Sequence, residues 1–226
     1  MSRSAVAQGI TVLVLLLAVA VWLVGLATLP LTLPFPALYH TEPIGEIRGT
    51  QTAGQTIVAP YAGLYRVDVS LADYGQQRTG PVYFRLESSP GGAPLVEDQF
   101  RAEAIQGDVI QSFVFPPISD SAGKHYYFEL AAPEASPGNA ITAYIQPGET
   151  NPDGGAYFAG QSVPGDLVFA LWFKVGGWQR AQIWLEQVSA AKPGALGQPV
   201  LYVLLGVAYV ALVAALFWRL RRNFVS

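Results

Sequence analysis

The sequence predicts an all-β extracytoplasmic sandwich, antiparallel and jelly-roll-like, flanked by two transmembrane α-helices. Three observations lead to this fold class. Long uncharged apolar runs lie near both ends of the chain, apolar and polar residues alternate between them, and glycine- and proline-rich segments break the alternation. Charged residues make up only 13% of the 226 residues, against about 25% in a typical soluble domain. This shortage of charge indicates membrane segments.

The first element is an apolar run of 20 residues, Ile10 to Leu29, in a stretch without charge between Arg3 and Glu42. As a helix it would span about 30 Å, the thickness of the hydrocarbon core of a bilayer. Cleaved signal peptides usually have shorter apolar regions, of about 7–15 residues. We therefore interpret residues 10–30 as a retained transmembrane helix, residues 1–9 as a cytoplasmic tail and residues 31–45 as a linker.

The last element is a second apolar run of 20 residues, Pro199 to Trp218. We interpret residues 199–218 as a transmembrane helix and residues 219–226 as a cytoplasmic basic tail. Basic residues favour the cytoplasmic side of a membrane, so both termini are predicted to be cytoplasmic and residues of about 31–198 extracytoplasmic. The arginines that set this topology are Arg3, Arg219, Arg221 and Arg222.

Small residues on the second apolar helix form a stripe that would let another helix approach closely. They are Gly206, Ala208, Ala211 and Ala215. Either helix–helix packing or ordinary contact with lipid is consistent with them.

Residues 46–177 are predicted to form the sandwich. Tyr65, Val67 and Val69 alternate with Arg66 and Asp68, which is the pattern of a strand with one buried face. Further alternating or apolar segments have turn-forming residues between them. The predicted strands lie at 54–60, 63–75, 80–89, 108–115, 124–130, 139–146, 155–160 and 166–175.

Residues 178–198 are interpreted as an interfacial helix followed by a linker. Ala181, Trp184, Leu185 and Val188 recur at the spacing of one helix face. A last strand followed by a linker is the alternative for this short apolar stretch.

The stretch FPPISDSAGKHYYFEL, residues 115–130, holds the residue types of a nucleophilic site: Ser119, Asp120, Ser121 and His125. It also has the pattern of a strand that ends at Phe115, a proline stop, a turn and a new strand. No G-x-S-x-G motif accompanies the serines. The sequence therefore predicts a non-enzymatic protein without catalytic residues, and a hydrolase that uses Ser119 or Ser121 with His125 is the remote alternative.

Charge and cysteine content restrict the ligands. The chain has no cysteine and two histidines, so no zinc site and no cofactor is predicted. Four of the 13 basic residues are the terminal arginines, so the middle segment contains nine basic residues and all 16 acidic ones. Its net charge of −7 argues against nucleic-acid binding. A structural calcium would use carboxylates, with solvated surface acids as the alternative. The carboxylates in question are Asp73, Glu97, Asp98, Asp108 and Asp120.

Exposed aromatic residues are the remaining candidates for a binding surface. The alternation places Tyr83, Tyr127 and Tyr144 on polar strand faces, together with His125 and Glu129. From this surface we predict contacts with other integral membrane subunits. The protein would then be an accessory or scaffolding subunit in the bilayer. A cell-surface glycan-binding module is the alternative, and scattered cross-strand pairs are the interpretation without function.

The segments VAPYAGLYRVDV and DSAGKHYYFEL resemble a recurring extracytoplasmic module of membrane proteins from green non-sulfur (Chloroflexi-type) bacteria. The resemblance covers residues of about 45–175 and implies a jelly-roll-like β-sandwich. It implies no particular activity, and it transfers no functional residue to this chain. The pattern is also similar to jelly-roll carbohydrate-binding modules, which is the basis of the glycan alternative.

Overall fold

The computed structural model describes residues 31–32, 41–73, 79–148, 154–190 and 192–225. The described chain divides into a β-sheet unit that ends at Val175 and a helical unit that begins at Gly176. The predicted tail 1–9, the predicted helix 10–30, most of the predicted linker 31–45 and Arg3 lie outside the described residues.

Thirteen strands lie in the described residues of the sheet unit. In chain order they are β1 Leu31–Thr32, β2 Glu42–Pro43, β3 Ala53–Val58, β4 Leu64–Ala72, β5 Pro81–Glu87, β6 Pro94–Arg101, β7 Val109–Ile118, β8 His125–Ala131, β9 Thr142–Gln146, β10 Ala156–Phe158, β11 Gln161–Val163, β12 Asp166–Leu167 and β13 Phe169–Phe173. A short 3₁₀ helix, Ala102–Ala104, follows β6.

The strands form two antiparallel sheets. The first sheet has the order β1-β13-β4-β9-β12, with β2 paired to β9 and β7 paired to β4. The second sheet has the order β11-β10-β3-β8-β5-β6. The β3–β8 pair and the β5–β8 pair are both in continuous register, so the outward residues of these strands lie side by side.

The core lies between the two sheets. Val67, Val69 and Leu71 of β4 are fully buried, as the alternation predicts. Phe84 of β5 stacks on Phe113 of β7 with ring centroids 4.0 Å apart, so aromatic contacts join the second sheet to the first. These features confirm the predicted antiparallel all-β sandwich.

Several details of the predicted strands differ from the structure. Strands β1 and β2 lie in the predicted linker 31–45, and the predicted strand 166–175 is divided into β12 and β13. The edge strand β6 was not predicted, because its sequence PLVEDQFR is polar and most of its residues are exposed. The predicted strand end at Phe115 is wrong, since β7 continues through Pro116 and Pro117 to Ile118. The described residues pair β7 with β4 alone, and proline is tolerated at an edge because its missing N–H faces no partner.

The helical unit contains α1, Gly177–Ala190, a 3₁₀ helix, Gly194–Gly197, and α2, Pro199–Val225. The stretch after the sandwich is thus helical, and not the last strand of the alternative interpretation. In α1 Ile183 is buried, whereas Trp184 of the predicted apolar face is 48% exposed.

Helix α2 covers the predicted span 199–218 and continues through the predicted tail to Val225. Its side chains are described at residues 199–213 and 215, so those of Arg219, Arg221 and Arg222 lie outside the description. Within the part of the chain that is described, no helix combines the length and hydropathy of a membrane span.

Candidate functional site

The outer face of the second sheet carries a row of five residues on five neighbouring strands. Strand register places Tyr157, Gly54, Glu129, Arg85 and Glu97 side by side, from β10 to β6. We call these residues the cross-strand row. Adjacent strands lie about 4.8 Å apart, so the row extends over about 19 Å. It therefore offers aromatic, acidic and basic groups to a ligand in one line.

Tyr127 lies beside the row and leans across Gly54. It is opposite Thr56 in register, and its ring meets that of Tyr157 edge-on, with centroids 5.7 Å apart and planes at 88°. A Cβ at Gly54 would collide with the Tyr127 hydroxyl. The glycine is therefore the residue that lets this tyrosine lie flat against the sheet, where it is only 4% exposed.

Glu129 organises the hydroxyl groups around it. Its Oε2 accepts a hydrogen bond of 2.9 Å from the Thr52 hydroxyl and one of 3.3 Å from the Tyr127 hydroxyl. Burial raises the pKa of Tyr127, and the nearby charge of Glu129 raises it further. The phenol is thus held in its neutral, proton-donating form.

Glu87 lies on the other side of Tyr127, opposite it in register on β5. The residue is 6% exposed, and within the described residues its Oε2 is buried without a hydrogen-bond partner. A buried charge ordinarily has a counter-ion or several hydrogen-bond donors. Glu87 is therefore the group at this face whose environment is incomplete.

The row ends in a shallow groove at the edge of the sheet. Arg85 donates to Glu97 at 3.1 Å, and both side chains are more than half exposed. The groove has a volume of about 380 Å³. Its lining includes Tyr83, Arg85, Glu97, Asp98 and Gln99.

The predicted exposed aromatic surface is not formed as one patch. Tyr83, His125, Tyr127 and Glu129 share the outer face of the second sheet, but Tyr144 is on β9 of the first sheet, where its hydroxyl donates to Asp108 at 2.7 Å. Tyr127 is buried and not exposed, because Gly54 leaves it room against the sheet. A contact function for these residues stays a prediction.

Several residues of this face were not predicted. Tyr157, Gly54, Thr52 and Glu87 are not recognisable from the sequence as members of one site. In GAYFAG, residues 155–160, the alternation of a strand does place Tyr157 on the opposite face from Ala156 and Phe158. Nothing in the sequence indicates that β10 lies next to β3, which is what brings Tyr157 to Tyr127.

The serines of residues 115–130 have different surroundings. Ser121 is fully buried, and its hydroxyl donates to the Tyr61 carbonyl at 2.8 Å and accepts from the Leu64 N–H at 3.1 Å. Ser119 is exposed, and Asp120 forms an ion pair with Lys124. Ser121 is therefore a structural residue, and the hydrolase alternative loses one of its two candidate nucleophiles.

The acidic residues considered for calcium are dispersed. Asp73 accepts from the Gly107 N–H at 2.8 Å, Asp108 accepts from Tyr144, and Asp120 pairs with Lys124. Across the described ranges, no three acidic or histidine residues are placed to hold a metal ion. The described residues thus give no support to a structural calcium site at these carboxylates.

The small residues of α2 are on the surface of that helix. Gly206, Ala208, Ala211 and Ala215 are all exposed, and a Cβ at Gly206 would meet open space. Packing against another helix stays a prediction.

In the comparisons with known proteins, no family model matches the sequence, and no curated protein shows significant similarity to it.

Proposed function

We propose that the chain is a non-enzymatic, membrane-anchored accessory subunit whose β-sandwich contacts other subunits outside the cytoplasm. One observation carries this proposal. Large apolar side chains of α2 are each 49–67% exposed, although nothing polar alternates with them. They are Val200, Val203, Leu204, Leu205, Val207, Tyr209, Val210 and Leu212.

An apolar helix with this exposure needs an apolar environment. Successive residues of a helix are about 100° apart, so these eight side chains point in most directions around the axis. A soluble helix normally buries one apolar stripe and turns a polar face to water. A bilayer, or a bilayer together with a partner helix, provides the apolar environment that the described residues do not give α2.

The direction of insertion follows from the basic end of the chain. Arg219, Arg221 and Arg222 come after the apolar run, which favours a cytoplasmic C-terminus. The sandwich precedes the run and would lie on the opposite side. The predicted helix 10–30 would be the second anchor.

The order of the strands supports a jelly-roll for the extracytoplasmic part. Four strands of the first sheet follow the order β2-β9-β4-β7, and four of the second follow β3-β8-β5-β6. The chain thus alternates between the sheets in two interlocked Greek keys. Such a scaffold presents the outer faces of both sheets to partners.

Cysteine labelling tests the topology, because the chain has no cysteine of its own. We expect Ala122→Cys, at an exposed turn of the sandwich, to react with a membrane-impermeant maleimide on intact bacteria. Ser226→Cys should react only after the membrane is permeabilised. Adding Leu204→Lys and Val207→Lys should make Ser226→Cys reactive on intact cells, because a lysine near the bilayer centre costs about 2.5–3.5 kcal/mol.

The matched control for these lysines is Leu95→Lys with Val114→Lys, at sandwich positions that are 54% and 62% exposed. It should leave the labelling unchanged. Reaction of Ser226→Cys on intact cells without the lysines would refute the topology. The accessory role is tested separately by native gel electrophoresis after mild solubilisation, and migration as a lone monomer would refute it.

A glycan-binding module is the second candidate. The observation that favours it is the half-buried Tyr157 and Tyr83, because aromatic rings that keep an accessible face can stack on sugars. We expect Tyr157→Ala to abolish binding on a glycan array, while Tyr144→Ala on the other sheet leaves it intact. An array without any bound glycan would exclude this candidate.

A further inference from the structure

Two carboxylates flank Tyr127 on the outer face of the second sheet. Glu87 is opposite Tyr127 in register, and Glu129 is opposite Arg85. The two glutamates are therefore diagonal neighbours on adjacent strands, about 7–8 Å apart. We call Glu87, Glu129, Tyr127 and Tyr157 the carboxylate–tyrosine site.

The positive charge nearest in register, that of Arg85, is hydrogen-bonded to a third carboxylate. Arg85 donates to Glu97 at 3.1 Å, on the side away from β8. The hydrogen bonds of Glu129 come from Thr52 and Tyr127, which are neutral hydroxyl donors. Within the described residues Glu87 Oε2 has no partner at all, and the residue is 94% buried. A buried carboxylate without a counter-ion is unfavourable, so this site is suited to an added positive charge.

The tyrosines favour the same kind of ligand. A cation within about 6 Å of an aromatic ring is attracted by the negative face of the ring. Tyr157 is half-buried and meets edge-on, at 5.7 Å, the tyrosine ring whose hydroxyl bonds Glu129. A metal ion is a poorer ligand here, since the described residues include no cluster of three metal-binding side chains. A sugar hydroxyl would supply a hydrogen bond but no charge.

We infer that the carboxylate–tyrosine site receives a basic side chain, a lysine ammonium or an arginine guanidinium, from a partner protein. This inference rests on the proposed function, because it names the chemistry by which the accessory subunit would hold its partner. A partner with a lysine or arginine on a protruding loop would compensate Glu87 and Glu129 together and cover Tyr157.

The first test measures the thermal stability of the protein without its partner. Because no described residue gives Glu87 a counter-ion, Glu87→Gln should leave the melting temperature of the full chain in uncharged detergent unchanged or raise it. A clear fall in the melting temperature would mean that Glu87 already has a structural partner, and it would overturn the inference. Asp68→Asn is the control, since Asp68 is buried and fully paired and its replacement should lower the melting temperature.

Binding gives the second test. The probe is a fluorescent eight-residue peptide with two lysines, and the reference is the same peptide with norleucine in their place. We expect the lysine peptide alone to bind the full chain in uncharged detergent. Glu87→Gln with Glu129→Gln should weaken this binding by about tenfold or more. Glu97→Gln with Asp98→Asn removes the same charge from the neighbouring groove and should change the affinity much less.

Equal losses in the two double variants, or equal binding of both peptides, would overturn the inference and leave only general charge attraction or apolar contact. The cysteine labelling pattern does not depend on these glutamates. A failed peptide experiment together with the expected labelling would therefore reject the binding site and keep the membrane topology. Loss of glycan binding in place of peptide binding would assign the site to the glycan candidate.

Discussion

Among single residues, Ser121 joins the turn after β7 to the start of β4. Its buried hydroxyl bonds the Leu64 N–H and the Tyr61 carbonyl. Ser121→Ala would leave both backbone groups unsatisfied, and each such group costs about 1–3 kcal/mol. We therefore expect the free energy of unfolding of the full chain, measured by denaturant titration in detergent, to fall by about 2 kcal/mol.

Ser119→Ala is the control, because Ser119 is exposed in the same turn. Its effect should stay within about 0.5 kcal/mol. Equal losses from the two serines would contradict the structural role of Ser121.

The ionisation of Tyr127 should make the sandwich less stable at alkaline pH. Its pKa is raised by burial and by Glu129, so the folded state holds the phenolic proton more tightly than the unfolded state does. This contribution is complete below the unfolded pKa of about 10 and is lost as the pH rises toward the higher folded value. The unfolding free energy should accordingly begin to fall at about pH 10 and continue to fall as the pH rises further toward the folded pKa.

Tyr127→Phe should weaken this pH dependence, because phenylalanine has no proton to release. Denaturant titrations of both proteins across the same pH range measure the difference. Identical slopes in this range would mean that Tyr127 titrates normally in the folded protein.

At the level of strands, a charged cluster fixes β13 against β4. Arg66 donates to both oxygens of Asp68 at 2.6 and 2.8 Å, and the Trp172 indole donates to Asp68 at 2.7 Å. The guanidinium also lies 4.4 Å from the centroid of the Trp172 ring. Asp68 is only 1% exposed, so its carboxylate depends on these two partners.

Asp68→Ala should destabilise the protein by about 3 kcal/mol, because it leaves a guanidinium and an indole N–H without their acceptor. Asp68→Asn should cost less, since it keeps one oxygen for Trp172. Asp120→Ala is the control for an exposed pair, which solvent screens, and it should have a far smaller effect. A loss for Asp68→Ala as small as that of the control would show that the cluster does not hold the strands.

The sequence predicts β4 and β5 correctly because their apolar residues alternate with polar ones. The residues that this alternation places in the core are buried, namely Val67, Val69, Leu71, Val82, Phe84 and Leu86. Strand β6 escaped prediction because an edge strand with exposed residues has no such contrast. Pro116 and Pro117 led to the wrong prediction of a strand end at Phe115. Proline disrupts a central strand, but it is tolerated in an edge strand.

The site was less predictable than the strands. Alternation places Tyr83, Tyr127 and Glu129 on one outer face, and the sheet has them there. Alternation says nothing of which strands are neighbours, so it could not separate Tyr144 from them or bring Tyr157 to Tyr127. Burial of Tyr127 depends on Gly54, a residue 73 positions away in the sequence.

For the molecule as a whole, the cohesion of the two sheets depends on aromatic pairs that cross the core. Phe84 and Phe113 are at most 1% exposed and stack with planes 7° apart. Phe128 of the second sheet also meets Phe169 of the first edge-on at 5.6 Å. Since each pair has one ring on each sheet, the two sheets should unfold together.

Phe84→Ala should lower the free energy of unfolding by about 3–5 kcal/mol, because it removes a large side chain from a closed core. Far-ultraviolet circular dichroism and tryptophan fluorescence should still report one shared transition, at lower denaturant. Phe84→Leu combined with Phe113→Leu should show a coupling energy of about 0.5–1.5 kcal/mol in a double-mutant cycle. Additive effects would mean that the stacked pair adds nothing beyond its burial, and separate transitions would mean that each sheet is stable without the other.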